Sequence, residues 1–145
     1  MANESDTAGT VKVEVQLPQD TPFRFVSTAP VPGWTAELTK ESLPAPVEAD
    51  GVTVTEAVRT VTWTADRGVQ IGPEQYQDFR MSVGPLPSPG TVVLPTTQTS
   101  SDGEEQAWVQ PVPAGGPEPQ QPAATRSCGG PSRWPGPTTA LSRRR

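Results

Sequence analysis

The chain has 145 residues, among them 19 prolines, 13 glycines, one cysteine and no histidine, and that length holds one domain with a modest core. Without histidine there is no Ser-His or Cys-His nucleophile pair and no histidine-ligated metal within the sequence. Residues 1–125 carry 6 basic and 16 acidic side chains, whereas residues 126–145 carry five arginines and no acid, and an acidic body of this kind repels nucleic acid.

The first element is Thr10–Leu17, where Val11, Val13, Val15 and Leu17 alternate with Thr10, Lys12, Glu14 and Gln16. Strict alternation is the mark of a half-buried strand, and Pro18 ends it because proline cannot donate to a ladder. Phe23 and Phe25, alternating with Arg24 and Val26, predict a second short strand. After the turn-rich Ala29–Gly33, Trp34, Ala36 and Leu38 alternate with Thr35, Glu37 and Thr39. Residues 40–50, with Pro44 and Pro46, read as loop, and Val52–Thr55 as weakly β-prone.

Arg59–Thr64 alternates again, with Val61 and Trp63 on one face and threonines on the other. So does Gln77–Val83, where Phe79, Met81 and Val83 point inward. Thr91–Thr99 and Glu104–Gln110 flank Ser101-Asp102-Gly103, and an Asp-Gly step between two β-prone runs predicts a hairpin. About seven short strands with turn chemistry between them, and no amphipathic helix, predict an all-β, antiparallel β-sandwich over residues 1–112. From Pro111 onward Pro, Gly, Gln and Ser dominate. Residues 113–145 therefore read as a Pro/Gly-rich disordered tail, with too little apolar surface to offset an ordering cost of about 1–2 kcal/mol per residue.

Trp34 and Trp63 lie mid-strand on apolar faces and read as structural core. Trp108 stands on the return arm of the hairpin, where an indole either joins the core or covers a cation at the end of the sheet. Trp134 falls in the tail. Cys128, beside two glycines, reads as a flexible unpaired thiol. Glu104 and Glu105 are adjacent, and neighbours on a strand point to opposite faces. Glu48 and Asp50 form a second carboxylate pair in the loop region. No phosphate loop, dinucleotide fingerprint or nucleophile elbow occurs, so no catalytic residue is assigned and the chain is not expected to be an enzyme. No apolar run approaches the roughly 20 residues of a membrane span. The acidic start Met1–Asp6 does not read as a signal peptide, and the chain taken literally stays in the cytoplasm.

Five segments, in order, resemble a known family. Asn3–Pro18, Pro32-Gly33-Trp34, Val61–Ala65, Gln75–Phe79 and Ser101–Trp108 are similar to the corresponding steps of YcnI-like copper-binding proteins. The resemblance implies an immunoglobulin-like sandwich, secreted or membrane-anchored at the bacterial cell surface. It also implies Cu(II) held by a mature N-terminal histidine, through its amine and imidazole, with a Glu nearby and a Trp over the metal. Nitrogen and oxygen donors in a near-planar array suit Cu(II). Of that site only Trp108 carries over, as the indole over copper. The family's first strand, with the histidine and the Glu, corresponds to residues before Asn3, where this sequence has Met1-Ala2.

Two functions from different classes follow. The first is a copper-binding extracytoplasmic domain that handles copper at the cell surface, with the copper ion and copper-transport proteins of the envelope as partners. As written, without the N-terminal histidine, the chain is expected to bind no copper(II) tightly. The second is a metal-free β-sandwich serving as an interaction or scaffold module. Neither involves nucleic acid or a membrane span in this chain.

Overall fold

The structure, a computed structural model, describes residues 1–49, 51–86, 90–110 and 119–128. Its strands are β1 (Thr10–Gln16), β2 (Phe25–Thr28), β3 (Trp34–Ala49), β4 (Val52–Ala65), β5 (Met81–Gly84), β6 (Gly90–Leu94), β7 (Thr96–Ser100), β8 (Glu105–Trp108) and β9 (Ala124–Cys128). Five form one antiparallel sheet in the order β3-β4-β1-β7-β8. β1 takes its central place because its alternation leaves one face apolar: Val13 and Val15 are buried while Lys12 and Glu14 look toward solvent. Val13 pairs with Trp63 and Val15 with Val61 across the β1–β4 ladder, so the most apolar residues of both strands share one face.

The opposing layer is two separate ribbons, β2-β5 and β6-β9. Between the layers Val13, Val15, Val58, Val61, Trp63 and Trp34 meet Phe23, Ile71 and Val92, with Phe79, Met81, Val83 and Leu94 packed against them. Phe79 joins the two tryptophans: its ring centre lies 5.0 Å from Trp34, edge to face, and 5.2 Å from Trp63. Trp63 is 2% exposed, and its Nε1–H has no hydrogen-bond partner among the described residues. The hairpin at Asp102-Gly103 forms as its sequence predicts, with Gly103 at φ 87°, Thr99 opposite Glu105, and Ser100 N donating to Glu104 O at 2.8 Å.

Several boundaries differ from those the sequence predicts. Residues 40–49 are strand rather than loop: β3 runs on to Ala49 and pairs with β4, and a register shift between Ser42 and Val47 spans both prolines. β3 is an edge strand, where proline costs no interior ladder bond. The run Thr91–Thr99 is two strands, not one. It breaks at Pro95, so that β6 pairs with β9 in one layer and β7 with β1 in the other. Phe25 does not share the inward face of Phe23: it is 62% exposed while Phe23 is 3% exposed, because β2 begins only at Phe25 and Val26 takes the inward position.

The largest difference lies in the segment read as a tail. Ala124–Cys128 are β9, antiparallel to β6, and Val92, opposite Arg126, is buried. Backbone pairing supplies the order that side-chain composition does not advertise. Cys128, read as a flexible thiol, ends this strand opposite Gly90. The rest of 113–145, with Trp134, lies outside the described residues apart from 119–123, as does Asp50 of the Glu48–Asp50 pair. Among the described residues no helix is long and apolar enough to cross a membrane.

Candidate functional site

Trp108, the last residue of β8, pairs with Thr96 of β7 at the rim of the five-stranded sheet. Its ring is half-buried, and its Nε1–H donates to Gln98 Oε1 at 2.7 Å. Gln98 is 3% exposed and turns its amide nitrogen the other way, donating to the Ala2 carbonyl at 3.0 Å and to Thr10 Oγ1 at 3.5 Å. One buried amide thus fixes the indole to the start of the chain.

That start is itself held in place. The Met1 ammonium donates to Gln77 O at 2.8 Å, Gln77 N donates to Met1 O at 2.9 Å, and Asn3 N donates to Gln75 O at 3.1 Å. The side chain of Asn3, 8% exposed, donates to the carbonyls of Ala8 at 2.7 Å and Ile71 at 2.9 Å. Each of these buried polar groups is satisfied, which is what keeps an otherwise irregular segment at one position.

Trp108, Glu4, Met1 and Ala2 line a cavity of about 290 Å³, closed on its other side by Thr96, Pro122 and Ala124. Beside it lies a cleft of about 360 Å³ whose lining includes Glu4, Glu104 and Glu105. Glu104 precedes β8, so strand alternation does not separate it from Glu105, and both border this cleft. Among the described residues, however, no three His, Cys, Asp or Glu side chains come close enough to hold a metal ion. Glu48, the described half of the other carboxylate pair, is exposed and accepts from Thr53 Oγ1 at 3.1 Å. Trp34 and Trp63 lie in the core.

Gln98 and Asn3 are the residues that sequence reasoning missed. The available signal at Gln98 is parity: it shares with Thr96 the face of β7 that points inward, and a polar residue there needs partners.

A model of a domain of unknown function, DUF1775, matches residues 1–127. The chain belongs to the DUF1775 family. This is the YcnI-like family that the five sequence segments resemble. The DUF1775 match takes in β1 to β8 and most of β9, so β9 is part of the domain. Among solved structures, an uncharacterized protein from Nocardia farcinica, described as having an immunoglobulin-like fold, is 45% identical. The similarity covers 88% of this chain and 82% of that one, with a TM-score of 0.67. The fold of this DUF1775 member is accordingly an immunoglobulin-like antiparallel sandwich. No curated protein matches the chain.

Proposed function

We propose that this DUF1775 domain serves copper handling at the bacterial cell surface, with the rim around Trp108 as the place where Cu(II) is received. The observation that supports this reading is the tie from Trp108 through Gln98 to Ala2, which brings an indole face, the Glu4 carboxylate and the Met1–Ala2 segment to one cavity.

The side chains present do not complete such a site. Cu(II) favours nitrogen and oxygen donors in a near-planar array, and this sequence contains no histidine. An indole shields a cation but is a poor ligand, and Glu4 is a single carboxylate. The chain as given therefore binds Cu(II) only through its terminal amine and backbone amides, which is weak background.

Calorimetric titration with Cu(II) tests the reading. The chain as given is compared with a form extended upstream of Met1 by a strand that opens on a processed histidine and carries a Glu. The extended form is expected to bind one ion tightly and the given form weakly; stoichiometric tight binding by the given form contradicts the assignment of the ligands. The metal-free alternative, a sandwich acting as an interaction module, is favoured if neither form binds.

A further inference from the structure

The connection from β4 to β5 meets the start of β3 around a cleft of about 470 Å³. That volume falls within the roughly 300–1,000 Å³ of small-molecule sites, and the lining shares no residue with the cavity beside Trp108. Trp34, held against Phe79, and Tyr76, 75% exposed, bring aromatic surface to it. Gln70, Gln75 and Gln77 bring amides and Glu74 a carboxylate, and no lysine or arginine lines the cleft among the described residues.

Glu74 stands there at a backbone cost. Gln75 N donates to Gly72 O at 3.1 Å and closes a β-turn over Gly72-Pro73-Glu74-Gln75. Proline fixes a negative φ at the second position of this turn, and Glu74 takes φ 59° at the third, where Gly or Asn is usual. Among the described residues it is the one non-glycine residue with a positive φ. Conformations of this kind cluster at functional sites. Gln75 Oε1 accepts from Gly72 N at 2.9 Å, which locks the turn and leaves the hydrogens of Gln75 Nε2 for another acceptor. Gln77 Nε2 donates to Asp78 O at 3.1 Å and leaves Gln77 Oε1 for another donor. Among the described residues the side chains of Gln70, Glu74 and Tyr76 form no hydrogen bond or ion pair.

We propose that this cleft binds a neutral saccharide. A sugar hydroxyl both donates and accepts, and the cleft offers a donor at Gln75 Nε2, acceptors at Gln77 Oε1 and Glu74, and groups that do both at Gln70 and Tyr76. The C–H face of a pyranose ring packs on the electron-rich face of the Tyr76 ring. An anion would meet the Glu74 carboxylate with no cation to offset it, and a cation would leave the amide donors unused. The inference does not rest on the copper reading.

The probes are cellotetraose, maltotetraose and chitotetraose, which differ in linkage and in the N-acetyl group, titrated into the full chain and followed by nitrogen-15 NMR. At least one is expected to bind saturably, one to one, and to move the side-chain amide signals of Gln70, Gln75 and Gln77; the strongest binder names the glycan that the cleft prefers. Tyr76→Ala, at an exposed position, is expected to weaken that binding about tenfold by removing an aromatic contact. Glu74→Gly is expected to weaken it about tenfold as well, through loss of a charge-assisted hydrogen bond. The same variant is expected to raise the melting temperature by about 3–6 °C, because glycine takes a positive φ without strain. Weaker binding together with higher stability marks a residue kept for a ligand rather than for the fold. Saturation by none of the three sugars, or binding that Tyr76→Ala or Glu74→Gly leaves unchanged, overturns the proposal. Saturable binding of tetramethylammonium at the same amides in place of the sugars also overturns it, by giving the cleft to a cation.

Discussion

Trp63 and Trp108 show how two identical side chains diverge through their surroundings. Trp63 is wedged between β1 and Phe79 at 2% exposure, so Trp63→Ala removes a large buried ring and leaves a cavity, costing about 3–5 kcal/mol. Trp108 is half-buried at the rim. Trp108→Ala is expected to cost clearly less, and urea melts of the two variants compare them directly; equal losses contradict a rim position for Trp108. Gln98→Ala strips the partner from both Trp108 Nε1 and the Ala2 carbonyl. It is expected to destabilise by about 1–3 kcal/mol, the cost of buried groups left unpaired, and to alter Trp108 emission. At this scale the sequence was readable where parity is strict: Val13, Val15, Val61 and Trp63 each fall on the inward face that alternation assigns. Phe25 was not, because a strand's start shifts its parity and nothing in Phe23–Val26 marks where the ladder begins.

Hairpin tips and prolines set the elements. Gly103 has φ 87° with open space around the position of a Cβ, so Gly103→Ala loses only backbone comfort, about 1–2 kcal/mol. The substitution is expected to lower the unfolding free energy obtained from urea melts by that amount, through a lower midpoint, while leaving the fold, seen by circular dichroism, unchanged; an unaltered midpoint contradicts a left-handed conformation at this turn. The hairpin was legible because Asp-Gly encodes its own geometry. The length of β3 was not, since Pro44 and Pro46 carry the same loop signal whether they stand in a loop or in an edge strand relieved by a register shift. The division at Pro95 was hidden for a related reason: alternation continues on both sides of the proline while the chain passes from one layer to the other.

For the molecule as a whole, period-two patterning with turn residues between runs implies two packed antiparallel layers, and the domain has them. β9 escaped because its apolar content is low and its order comes from pairing with β6, a long-range relation that local composition does not express. The tie between Trp108 and the chain start escaped as well, since it passes through Gln98, 96 residues from the carbonyl it holds. The same tie supplies the sharpest test of the copper reading. Tryptophan emission is followed during Cu(II) titration of the histidine-extended form and of its Trp108→Phe variant. Saturable quenching at one equivalent, mostly lost in Trp108→Phe while the stoichiometry stays the same, is the expected result, because a paramagnetic ion then lies against that indole. Failure of the extended form to bind Cu(II), or quenching that persists undiminished in Trp108→Phe, contradicts a copper site at this rim.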